Sequence, residues 1–409
     1  MRARRIRRRR RNGARLPARP ILGIDVIVNR SRTISLALGV TQTLAWATTY
    51  YIPATVIGAA AEALDVSRTV LLGGFSWSLL VAGLCSPRIG RYIDTHGGRP
   101  VLAAGALVTC LGLALLASAG GVAAWYVAWT VLGLGMAMGL YDTAFATIGR
   151  LLGDAARPAI IGVTFMAGFA STIGWPVGTW LVAEHGWRAA VWMFAAVQVV
   201  AILPIVLVFV PAAGAVPPST AVRAPVAGGP LPGTVFALLA IFFTARAAIS
   251  SLVAVHALVL LTGIGLSLGQ AVFTASMIGP AQVAARLLDW RLSRWLSPLA
   301  STLVGGVLLP LGVLAVLAGA PALVFALAYG MSNGILTISR GALPLHVFGP
   351  AGYATLLGRL AMPGLIAQAA APTLLAPLVD SWPADWILGG IGALSLAAIA
   401  CLVPLRARR

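Results

Sequence analysis

The chain has 409 residues, 59% of them hydrophobic and only 10% charged, with a mean hydropathy of +0.94. A soluble domain carries about 25% charged residues, so this composition excludes a soluble enzyme and describes a polytopic membrane protein whose unit is a span of about 20 apolar residues. The net charge of +19 does not make it a nucleic-acid binder: all 29 basic residues are arginine, as in high-GC bacterial genomes, and they gather at the start of the chain and at span ends.

Twelve arginines fall within residues 1–33. Such a run is expected to be a basic, disordered cytoplasmic tail able to touch anionic headgroups. It is not a signal peptide, because a full-length span follows it rather than a short apolar core and a cleavage site. Apolar stretches then predict twelve spans, near 34–58, 69–88, 101–119, 122–148, 159–183, 189–210, 234–260, 268–288, 300–318, 321–345, 354–378 and 386–404. The Pro/Gly/Ala-rich segment 211–233 has no helical period and reads as a cytoplasmic linker between two halves, 34–210 and 234–409. Arginines near alternate span ends number 24 on the side of the termini and linker and 2 (Arg68, Arg188) on the other. The positive-inside bias therefore places both termini in the cytoplasm of a bacterial inner membrane.

In span one, Gln42, Trp46, Thr49 and Pro53 are spaced i, i+4, i+7, i+11, with Tyr50 and Tyr51 beside them. One polar, aromatic face results, suited either to lining a cavity or to helix packing. The loop between spans two and three reads Ser86-Pro-Arg-Ile-Gly90-Arg-Tyr-Ile-Asp94-Thr-His-Gly97-Gly98-Arg99. A glycine admits close helix approach, while an aspartate and an arginine complement opposite helix ends. This stretch resembles the 2–3 loop signature of the major facilitator superfamily at Gly90, Asp94, Gly97 and Arg99. Thr95 and Gly98 depart from it where basic residues are usual. The resemblance, covering about 34–404, implies an all-α membrane protein of twelve transmembrane helices in two pseudo-symmetric six-helix bundles, transporting a small solute by alternating access. Span five, Ala170-Ser-Thr-Ile-Gly174-Trp-Pro176-Val-Gly178, loosely resembles the Gly-Pro motif of proton-coupled antiporters, with Trp175 breaking the pattern.

The two halves are one unit written twice. Gly135-Met136…Gly139 recurs as Gly330-Met331…Gly334, and Asp94…Arg99 as Asp289…Arg294, both offset by 195 residues. Duplicated halves hold a solute between them at the midplane. The counterpart of the 2–3 loop carries Gln282, Arg286 and Asp289 at i, i+4, i+7, on one helix face. By the resemblance, both loops latch the cytoplasmic side when the outside is open.

Ionisable residues inside spans mark function by default. Arg246 lies some 12 residues into span seven, about 18 Å deep at 1.5 Å per residue. It is placed for an anionic substrate or coupling partner, or for an interhelical contact. Asp142 in span four is the one acid well inside a span. With Arg340 in span ten, and Arg359, it forms a candidate gate or coupling set, unless Arg340 only snorkels to the interface. Asn333, Thr337 and Arg340 share a face at i, i+4, i+7. The substrate-binding candidates are thus Arg246, Gln42, Trp46, Thr49, Tyr50, Asn333 and Thr337. Three arginines against one aspartate tilt the interior positive, which favours a small organic anion such as a carboxylate, coupled to protons. Efflux of a drug-like or toxic compound is the alternative. The dispersed acids and histidines form no catalytic arrangement. Scattered histidines and Cys85, Cys110 and Cys401 hold no metal spacing, so no metal or cofactor is expected, and a monomer is the expected state.

Overall fold

The computed structural model describes residues 21–212 and 232–407. The arginine tail before residue 21 and most of the expected linker lie outside the described residues. Among those residues the chain is helical and carries no strand. The first half comprises α1 (Ile21–Ala47), α2 (Ile52–Leu64), α3 (Arg68–His96), α4 (Gly98–Ala117), α5 (Val122–Gly139), α6 (Tyr141–Leu152), α7 (Ala156–Ala167), α8 (Ala170–Val197) and α9 (Leu203–Phe209). The second comprises α10 (Pro232–Gly263), α11 (Leu268–Ser276), α12 (Ile278–Leu292), α13 (Pro298–Leu317), α14 (Leu323–Phe348), α15 (Tyr353–Ser381) and α16 (Ala384–Ala400).

Nine apolar helical segments among the described residues are long enough to cross a membrane. One of them, Ala156–Phe209, has 54 residues, about 80 Å of helix against a hydrocarbon core of about 30 Å. It folds into two passes at Gly186, whose φ of +79° only glycine adopts freely. With that segment counted as two passes, and α1–α2 and α14 added, the described helices are consistent with twelve passes, six in each half. The duplication reaches the helix caps: Ser67 opens the second pass of the first half, and Ser267, in a reciprocal capping box with Gln270, opens the second pass of the other.

Three boundaries differ from the expectation. The first helix begins at Ile21, so residues 21–33 are helical where a disordered tail is expected. Helix α3 runs to His96, so Gly90 and Asp94 lie on a helix and not in a loop. Helix α12 runs to Leu292, past the expected end at 288, so Asp289 lies within the helix whose face Gln282 and Arg286 are expected to share.

The halves meet unevenly. Helix α3 packs along α15, α7 meets α12 and α14, and α6 meets α14 and α15. On the side where the described chain begins and ends, the termini side, one apolar core joins Leu38, Phe145 and Ile160 of the first half to Ile338, Leu345 and Leu357 of the second, and a further core of the second half forms around Phe242 and Leu402. On the opposite side two separate cores form, one around Trp125 and Trp129, the other around Phe325 and Ile391. The termini side is therefore sealed by shared burial that the opposite side lacks.

Candidate solute-binding cavity

Four passes break midway: at Thr48–Tyr51, at Leu140, at Gly168–Phe169 and at Met277. Irregular backbone is tolerated at membrane depth where it lines a cavity. These breaks bring aromatic and charged side chains to the seam. The Trp46 ring lies 4.6 Å from Tyr50 and 4.9 Å from Tyr141, and Tyr51 stands edge-on to Tyr50 at 5.6 Å. The Trp46 indole N–H is buried with no hydrogen-bond partner. From the second half, Gln368 Nε2 donates to the Tyr50 hydroxyl at 2.7 Å.

Helix α14 presents one polar face to this seam. Tyr329 is buried, while Asn333, Thr337 and Arg340 are half-buried amid fully buried neighbours such as Ser332, Gly334, Ile338 and Ser339. Ser250 of α10 donates to Asn333 Oδ1 at 2.9 Å and lies 3.2 Å from the Tyr329 hydroxyl. Arg340 Nη2 donates to Asp142 Oδ2 at 2.7 Å, joining the halves. Asp142 sits in the first turn of α6, where the helix dipole favours an anion.

Arg246 projects from the middle of α10 and is only 5% exposed. None of its three guanidinium nitrogens has a hydrogen-bond partner among the described residues. An ionised group left so costs several kcal/mol, and Tyr329 is the polar group in its electrostatic reach.

Several expected site residues lie elsewhere. The break at Thr48–Tyr51 ends the helical register of span one, so Thr49 does not share a wall with Trp46. Its hydroxyl donates to Ala45 O, and it lines a small pocket inside the first half with Thr41, Thr109 and Gln198. Gln42 is a strut, its Nε2 donating to Gly139 O at 2.6 Å. Arg359 is exposed on α15 and takes no part in the Asp142–Arg340 pair. Arg286, expected near the cytoplasmic end of span eight, is 5% exposed, with its guanidinium against Gly168 of the first half. Asp289, expected outside the span, is a buried carboxylate, accepting from Ser301 and standing 3.9 Å from Arg157 of the first half.

Of the remaining signature residues, Gly90 and Asp94 form the clasp of the termini side, and Gly97 and Arg99 brace the first half. The Asp94 carboxylate accepts from the backbone N–H groups of Ala354 and Thr355 at 3.1 and 2.7 Å and from the Thr355 hydroxyl, capping α15 across the seam. Gly90 lies against the Ala354 carbonyl. Gly97 turns α3 into α4 at φ +87°, and Arg99 donates to Leu207 O. Arg157 donates to Ser293 O and Leu296 O. Sequence reasoning missed Tyr329, although it extends the Asn333–Thr337 face one turn back. It also missed Gln368, whose surroundings carry no pattern.

The chain belongs to the Major Facilitator Superfamily, whose family description matches residues 37–362. Its fold is similar to that of the human organic anion transporter MFSD10 (TETRAN), at 19% identity and a TM-score of 0.64 over 92% of this chain and 99% of that one. It is also similar to the proton:xylose symporter XylE bound to 6-bromo-6-deoxy-D-glucose, at 13% identity and a TM-score of 0.70 over 91% and 95%. No curated sequence matches the chain. It is a multi-pass membrane transporter of a small solute and not an enzyme.

Proposed function

We propose that the protein carries a small organic anion, a carboxylate, across a bacterial inner membrane by alternating access, with protons as the coupling ion. The observation that carries this reading is Arg246: a buried guanidinium whose nitrogens have no hydrogen-bond partner among the described residues, in electrostatic reach of Tyr329. A carboxylate meets a guanidinium through two parallel charged hydrogen bonds and removes the cost of its burial. The arginine bias orients the termini, and with them the clasped side, to the cytoplasm. The structure then corresponds to an outward-facing state. Protonation of Asp142 would release Arg340 and loosen that clasp, which links proton and solute.

The test is binding and uptake by purified protein, first by thermal shift with organic acids and then in proteoliposomes under an imposed proton gradient. Arg246→Gln removes a charged hydrogen-bond pair, about 2–3 kcal/mol, so affinity should fall about 30- to 150-fold. The surface control Arg91→Gln should bind as the native protein does. Stabilisation by neutral or cationic compounds, with none by anions, would overturn the proposal.

A further inference from the structure

We infer that the solute is a dianion, a dicarboxylate, whose second acidic group is held by Arg286; this rests on the anion reading above. The argument is a charge balance within the seam. Ion pairs seen among the described residues include Arg68–Glu62 at the surface, Arg157–Asp289 and Arg340–Asp142. The last two neutralise Asp142 and Asp289, while the third carboxylate at the seam, Asp94, is satisfied by N–H groups at the start of α15. Arg246 and Arg286, each 5% exposed, remain without a counter-charge. A monoanion would satisfy one and leave the other stranded in a site of low dielectric, where an unpaired charge is costly.

Arg286 is placed to bind rather than to brace. Its hydrogen bond is a long one, 3.4 Å, to Gln282 on its own helix, and its Nε–H has no partner among the described residues. The guanidinium crosses the seam and lies on bare backbone at Gly168, where α7 breaks from α8. A Cβ there would stand 2.2 Å from Nη1. Both arginines lie near tyrosines of the seam. Arg286 is in electrostatic reach of Tyr51 and Tyr141, and Arg246 of Tyr329. Tyr50, in ring contact with Tyr51 and Trp46, is in electrostatic reach of Tyr329 and stands between the two sets. The solute would thus bridge α10 and α12, its carbon chain against the rings.

The experiment compares succinate with its monomethyl ester, equal in chain and differing in one charge, by thermal shift and by proteoliposome uptake. In the native protein the diacid should bind at least about tenfold more tightly, one charged contact being worth about 1.5–3 kcal/mol. Arg286→Gln should abolish that preference while keeping the ester's binding. Arg286→Lys should retain part of it. Gly168→Ala, which pushes on Nη1, should reduce it without removing the charge. Equal binding of diacid and ester in the native protein, still lost in Arg246→Gln, would overturn the dianion inference and leave the anion reading intact. Binding of neither acid, with Arg246→Gln unchanged, would overturn both. The diacid–ester comparison needs no variant, so it decides the matter even if Arg286→Gln fails to fold.

Discussion

Asp142 and Arg340 form a pair of intermediate burial, their side chains 20% and 31% exposed. Breaking a fully buried pair costs about 3–5 kcal/mol and a surface pair about 0–1; this one should cost about 2. Because the pair joins the halves, the loss falls on the clasped state and not on either half alone. Asp142→Asn and Arg340→Gln should each impair transport. Each should also raise the labelling of a cysteine at Thr337 by an impermeant thiol reagent applied from the termini side. The double variant Asp142→Arg/Arg340→Asp should regain part of both. Native transport and labelling in the single variants, with an inactive swap, would refute a gating role. The depth of these charges was legible in the sequence, since position along an apolar run sets depth. Their direction was not. Arg359 and Arg246 both fall within spans, yet one is exposed and the other buried. Which neighbour a helix turns toward is settled by tertiary packing.

At the level of elements, the seam of α3 and α15 depends on two glycines. A Cβ on Gly90 would stand 2.2 Å from the Ala354 carbonyl oxygen, and one on Gly358 equally close to that of Ser86. Both obstacles are backbone, so no rotamer change relieves them. Gly90→Ala should weaken closure by about 1–3 kcal/mol, the usual cost of overpacking, and make a cysteine at Thr355 more reactive from the termini side. Gly279→Ala, on α12 with open space about it, should leave that reactivity unchanged and hold the melting temperature or raise it slightly through better helix propensity. Unaltered reactivity in both Gly90→Ala and Gly358→Ala would mean that α3 and α15 do not form the clasp. Hydropathy revealed the passes but not the breaks within them, because a broken span is as apolar as a continuous one. One break did leave a trace. Pro53 stands in the first turn of α2, where proline starts a helix more readily than it continues one. It marks a new helix rather than a fourth position on the face of Gln42 and Trp46.

For the molecule as a whole, the two copies perform the same task by different chemistry. Asp94 caps a helix of the other half, whereas its repeat partner Asp289 accepts from Ser301 and pairs with Arg157. A repeat thus predicts where a clasp sits and not what it bonds to. Both clasps lie on the termini side, where the apolar core is continuous, while the cores around Trp129 and Phe325 remain separate. An arrangement joined at one end has one inexpensive motion, a rocking that parts the joined end as the other closes. Spin labels at Ser118 and Ala318, exposed at the ends of α4 and α13 away from the termini, should draw together when solute and protons are added. Labels at Thr95 and Arg294, exposed on the termini side, should move apart in the same samples. A ligand shifts such an equilibrium only by its differential affinity for the two states. The opposed changes should therefore diminish together in Arg246→Gln. Two distances that changed in the same direction, or independently, would show that the halves do not rock as rigid bodies about the chamber.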